Sequence, residues 1–159
     1  MDREEGFITP ERYIEERAER IESPRGRLLI ASCQSGAALA ERVVSRYEEL
    51  LSERGASREV GYLEAVDFQF SDGETCVRLE RDVSGHDVFL MQALHDPASE
   101  RSVDENYVAF MIAARAFREW GASHVTGVLP YLAYARQDKP TRSKREPTTC
   151  ELMADLSIE

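Results

Sequence analysis

Arg136, Lys139, Arg142, Lys144 and Arg145 lie within one short stretch and are opposed only by Asp138. That window carries +4 in a chain whose net charge is −10. Guanidinium and ammonium groups gathered this way on an acidic protein suit an anionic small molecule such as a phosphate ester, which they grip through charge-assisted hydrogen bonds. Charge alone leaves a second reading open, that of a solvated loop. Another polar cluster, Ser71-Asp72-Gly73-Glu74, sits between two alternating segments. Asp-Gly is a strong turn signal, so turn chemistry on its own accounts for a hairpin tip and does not require a site.

Other chemistries are poorly supplied. His86, His95 and His124 never fall within four residues of one another or beside a cysteine, so they lack the spacing of a metal site. His124 opens an apolar segment and reads as structural. Cys33, Cys76 and Cys150 are odd in number, widely separated and without a CxxC pair. They suggest no disulfide framework and fit a reducing cytoplasm. Cys33 falls in a turn after a strand, where a small buried residue is the plain reading and a thiol role the alternative. Neither a G-x-G-x-x-G run, a Walker loop nor a G-x-S-x-G elbow is present. Thirty acidic side chains against twenty basic ones argue against a nucleic-acid binder that neutralises phosphates. No stretch approaches the roughly 20 apolar residues of a membrane span. The acidic start, Met1 to Gly6, has no apolar run behind it and does not read as a secretory signal.

The elements that must position these groups follow from periodicity. The 159 residues suit one domain, and a hydrophobic share of 42% is globular in character. Leu28-Leu29-Ile30-Ala31 reads as a strand buried on both faces, followed by the turn Ser32 to Gly36. Leu39, Val43, Tyr47 and Leu50 predict a helix from Ala37 to Glu53, closed by Gly55. Glu64 to Phe70 and Thr75 to Val83 predict two strands of a hairpin, with Val66, Phe68 and Phe70 on one face and Asp67 and Gln69 on the other. Asp87 to Gln92 is a further buried strand. Ser102 and Glu105 have capping-box spacing for a helix from Val103 to Trp120. His124 to Leu129 is another strand. A polar loop, Pro130 to Pro147, then leads to a helix starting near Thr148. Residues 1–25 read as a helical extension, with Thr9 as cap, Pro10 in the first turn and Tyr13, Ile14, Ala18 and Ile21 along one side. Residues 26–159 form the main domain. The expected fold class is α/β: a mostly parallel sheet flanked by helices, with a β-hairpin. Because the final helix has no strand after it, the domain reads as cut short. Ligands of such sheets bind outside the carboxyl ends of the strands, and the basic window follows one of those ends.

Four segments then carry a resemblance: Phe70-Ser71-Asp72-Gly73-Glu74, Gly85 to Gln92, Val128 to Lys139 with its Tyr-x-x-Tyr-Ala-Arg-Gln-Asp run, and Arg145-Glu146-Pro147. In order, spacing and strand context they resemble ribose-phosphate diphosphokinases, over about Arg27 to Leu156. The likeness covers only about the first half of an enzyme of that family. It implies a phosphoribosyltransferase-like fold, the first of two tandem domains, and assembly into a homo-oligomer through this domain. It implies transfer of a pyrophosphoryl group from ATP to the anomeric hydroxyl of ribose 5-phosphate, with magnesium and with release of AMP. Phe70, Asp72, Gly73 and Glu74 match the hairpin that contacts the adenine region of a neighbouring subunit's ATP. Arg136 and Gln137 match residues that hold the nucleotide of their own subunit. The family's metal-binding histidine and its ribose-phosphate and pyrophosphate loops fall beyond Glu159, so the magnesium ligands lie outside this chain. The expectation is therefore the ATP-contacting and oligomerising domain of a cytoplasmic enzyme, inactive by itself. A non-catalytic regulatory or interaction subunit of the same family is the alternative. Leu132 and Ala133 replace the usual Phe and Gly, and the segments around Glu53 to Gly61 and Asp96 to Val103 are longer than is typical.

Overall fold

The computed structural model describes residues 22–56, 60–140, 143 and 145–158. In chain order they form β1 (Glu22–Ser23), β2 (Gly26–Ser32), a 3-10 turn (Gln34–Gly36), α1 (Ala37–Glu53), β3 (Gly61–Leu63), β4 (Asp67–Gln69), β5 (Thr75–Val77), β6 (His86–Met91), α2 (Val103–Glu119), β7 (His124–Val128) and α3 (Thr149–Ile158). Strands β3, β2, β6 and β7 lie side by side in that order and run parallel. β1 pairs antiparallel with the start of β2 on the β3 side. β4 and β5 form a separate antiparallel hairpin. The α/β class expected from the alternation of strands and helices is the one found. The helix expected within residues 1–21 lies outside the described residues.

The apolar run of β2 is buried on both faces because helices cover both. Leu29 and Ala31 pair in register with Val88 and Leu90, and these pack against Phe110, Ala113 and Phe117 of α2. Ile30 and Met91 point the other way, onto Ala40, Val43 and Tyr47 of α1. Parallel neighbours need a crossover. α1 carries the chain from β2 to β3, and α2 carries it from β6 to β7. Fully burying a side chain such as Phe117 contributes roughly 1.5–3 kcal/mol from transfer out of water. Among the described residues no helix is long and apolar enough to cross a membrane.

Three local outcomes differ from periodicity. β4 and β5 keep only three ladder pairs, Asp67 with Val77, Phe68 with Cys76 and Gln69 with Thr75. The residues ahead of β4 turn toward β2 instead: Ala65 has φ +46°, and the Ala65 and Val66 amides donate to the Ser32 hydroxyl at 3.1 Å and the Ser32 carbonyl at 2.9 Å. The inward position of β4 is taken by a charged residue. Asp67 is buried, while Phe70 is 51% exposed. Finally, β3 is an extra edge strand that the sequence pattern did not announce.

Candidate functional site

The carboxyl ends of β2, β6 and β7 meet at one end of the sheet. Gly36 makes that closeness feasible. A Cβ there would stand 2.1 Å from the Met91 carbonyl oxygen, so only glycine lets the start of α1 lie against the end of β6. A buried polar chain locks the same region. Ser35 Oγ donates to Asn106 Oδ1 at 2.9 Å, and Gln92 Nε2 donates to the Asn106 carbonyl at 3.1 Å. Cys33 is fully buried beside them. Burial, and then the negative charge of Asp67, push its thiol well above the ordinary range. It is a packed apolar residue and no nucleophile at neutral pH.

The hairpin grows from this floor. Asp67 has a fully buried side chain; one carboxylate oxygen accepts the Gln34 amide at 2.6 Å, and the other is ion-paired with Arg101. Two residues on, the same face presents Gln69, whose Nε2 donates to Glu105 Oε1 at 3.3 Å. Phe70, Asp72, Gly73 and Glu74 form a single tight tip. The Phe70 amide donates to the Glu74 carbonyl, and the Gly73 amide to the Phe70 carbonyl, both at 2.9 Å. Asp72 Oδ1 accepts the Glu74 amide at 3.1 Å, which fixes an Asx turn. Gly73 supplies φ +90°, with open space where a Cβ would stand. On the outer face, the Phe68 and Phe70 rings meet edge to face at 5.4 Å, and the Arg78 guanidinium lies 5.2 Å from the Phe68 centroid. The tip thus offers a half-exposed aromatic face next to carboxylates.

The basic loop is fastened at its start. Ala133 is buried against Leu94 and Tyr107. Tyr134, at φ +63°, donates its hydroxyl to Asp104 in the first turn of α2. That hydrogen bond and the Asp104 charge raise the Tyr134 phenol above its usual range. Gln137 follows in a turn, its amide on the Tyr134 carbonyl at 2.9 Å. It also joins the loop to α3, because Thr149 Oγ1 donates to Gln137 Oε1 at 2.5 Å and the Cys150 amide donates to the Gln137 carbonyl at 3.2 Å. Arg136, between these anchors, is exposed, as are Lys139 and Arg145. Arg142 and Lys144 lie outside the described residues.

The six sequence-derived candidates therefore fall into two groups, the tip at Phe70, Asp72, Gly73 and Glu74 and the loop at Arg136 and Gln137. Both groups hang on the first turn of α2, one through Gln69 and Glu105, the other through Tyr134 and Asp104. Asp67, Arg101 and Asp104 were not singled out by the sequence. A lone Asp on an alternating strand looks solvent-facing, and only the three-dimensional neighbourhood shows otherwise. Among the described residues, no group of three or more His, Cys, Asp or Glu side chains could hold a metal ion.

Comparison with known proteins adds four findings. A family model described as the N-terminal domain of ribose phosphate pyrophosphokinase matches residues 28–158. A ribose-phosphate pyrophosphokinase of Vibrio parahaemolyticus is 34% identical over 118 residues, which is 74% of this chain and 32% of that protein. One from a Marinomonas strain is 39% identical over 88 residues, 55% of this chain and 26% of its own. The crystal structure of phosphoribosylpyrophosphate synthetase from Mycobacterium smegmatis superposes with a TM-score of 0.61 at 27% identity, covering 82% of this chain and 38% of that one. The chain thus spans between about a quarter and a third of the length of the curated relatives it matches.

Proposed function

We propose that this chain, which belongs to the ribose phosphate pyrophosphokinase family, supplies the nucleotide-contacting and oligomerising domain of an enzyme that moves a pyrophosphoryl group from ATP to the anomeric hydroxyl of ribose 5-phosphate, releasing AMP. The observation that carries this reading is the pairing of an aromatic tip with a guanidinium loop on one helical turn, at the carboxyl end of the sheet. Such transfers depend mostly on positioning and charge neutralisation. The Phe70 ring suits stacking on a purine base, which contributes roughly 1–3 kcal/mol. Glu74 leaves an exposed carboxylate to accept an amino or hydroxyl proton, while Asp72 is spent on shaping the turn. Arg136 is free to grip a phosphate in a two-point fork. Gln137, fixed to α3 through its side-chain Oε1 and its backbone carbonyl, sets the direction from which Arg136 approaches.

The test is AMP release by the natural full-length protein. AMP formation that requires both ATP and ribose 5-phosphate is expected. Absence of AMP, or release of ADP alone, overturns the reading. Sedimentation that finds only monomers at high concentration would overturn the oligomerising role.

A further inference from the structure

The ion pair between Asp67 and Arg101 is almost wholly out of water, with side-chain exposures of 0% and 9%. Desolvating two charges costs about as much as their attraction returns, so a buried pair of this kind is weak support for stability by itself. Its geometry suggests another use. One carboxylate ties together the turn after β2, through the Gln34 amide, the root of the β4–β5 hairpin and, through Arg101, the lead-in to α2. The hairpin needs such an anchor. It has three ladder pairs, and an isolated two-stranded hairpin is marginal at best in water. Asp67 and Gln69 share one face of β4 because side chains alternate along a strand. Gln69 adds a second tie, to Glu105, nearer the surface. Two ties on one face set both the position and the roll of the hairpin, whose opposite face carries Phe68, Phe70 and Arg78.

We infer that Asp67 and Arg101 are a positioning pair for the nucleotide-contacting tip. They touch no substrate. They hold the hairpin root so that Phe70, Asp72 and Glu74 are presented in one orientation. The catalytic consequence rests on the proposed function, whereas the anchoring itself does not.

The experiment uses the natural full-length protein carrying Asp67→Asn, which keeps the side-chain size and the acceptor for Gln34 but removes the charge. Hydrogen exchange is followed by mass spectrometry, and KM is measured for ATP and for ribose 5-phosphate. Exchange across 67–77 is expected to rise about tenfold while β2 and β6 stay protected, and KM for ATP to rise about tenfold with kcat and the ribose 5-phosphate KM nearly unchanged. A folded variant with wild-type hairpin exchange overturns the inference. So does one in which kcat and both KM values worsen together, as a merely structural pair would give. Should Asp67→Asn fail to fold, Gln69→Ala removes the surface tie to Glu105 together with the weaker bond to the Gly73 carbonyl at 3.4 Å, and leaves the Asp67–Arg101 pair in place. It is expected to shift the same two readouts in the same direction by a smaller factor, and no shift overturns the inference. A wild-type protein that makes no AMP defeats the functional reading alone, since hairpin exchange still decides the anchoring.

Discussion

Asp104 and Glu105, consecutive residues in the first turn of α2, accept hydrogen bonds from different segments: Asp104 from the Tyr134 hydroxyl, Glu105 from the Gln69 amide. The turn is itself well made. Ser102 and Glu105 form a complete capping box, and both acidic side chains lie where the helix dipole favours negative charge. One rigid helix end therefore sets the relative placement of the hairpin and the basic loop. A disturbance there should be felt in both.

Removing the Tyr134 hydroxyl should loosen only one of them. Tyr134→Phe keeps the ring and deletes the donor to Asp104. The expected loss of global stability is about 1 kcal/mol or less, since the contact is partly exposed. Proteolysis of 130–148 should quicken well before the core opens, and limited digestion followed by mass mapping measures it. Unchanged cleavage in that loop would show that the hydroxyl does not fasten it.

Acid should weaken the shared turn. Hydrogen bonds from the Ser102 amide, and then from its hydroxyl, hold the Glu105 carboxyl below its usual range. A depressed carboxylate contributes stability that is present above the unfolded value, near 4.3, and lost as pH falls through the folded value. Exchange at the start of α2 should therefore rise as pH drops below about 4. Glu105→Gln retains a capping-box partner but cannot titrate, so its exchange there, corrected for intrinsic rates, should stay flat over the same interval. Parallel curves for the two proteins would contradict this.

Much of this arrangement was legible in the sequence. Leu28 to Ala31 announced a strand covered on both faces, and the Ser102 and Glu105 spacing announced the start of α2. The Asp-Gly signal announced the tip. The hairpin's orientation was not legible, because alternation says which residues share a face but not which face is buried. Asp67 goes inward only because Arg101 and the Gln34 amide wait for it, and those partners are 34 and 33 residues away in sequence. β3 was hidden for a related reason. It is a three-residue edge strand, too short to establish a period.

The thiols offer an independent check of the packing at the strand ends. Cys33 is fully buried with its thiol pushed strongly upward, whereas Cys76 and Cys150 are partly accessible. A thiol reagent at pH 8 should modify Cys76 and Cys150 in the native protein and reach Cys33 only on unfolding. Peptide mapping identifies the labelled sites. Rapid native labelling of Cys33 would mean that the turn after β2 opens readily.

The most direct test of the account concerns Arg136. A guanidinium fork on a phosphate makes charge-assisted bonds contributing roughly 1.5–3 kcal/mol, which corresponds to about ten- to a hundredfold in binding or rate. In the natural full-length protein, Arg136→Ala should weaken ATP use by a factor in that range, judged by kcat/KM. Arg115→Ala serves as the control, since it removes an exposed side chain that, among the described residues, is paired with Glu119 on the same helix, and it should change ATP use very little. Steady-state kinetics on both variants, after confirming that each is folded, decides the matter. A large, ATP-specific loss confined to Arg136→Ala is the predicted result. Equal effects from the two substitutions would make the basic window a solvated loop and contradict the nucleotide site.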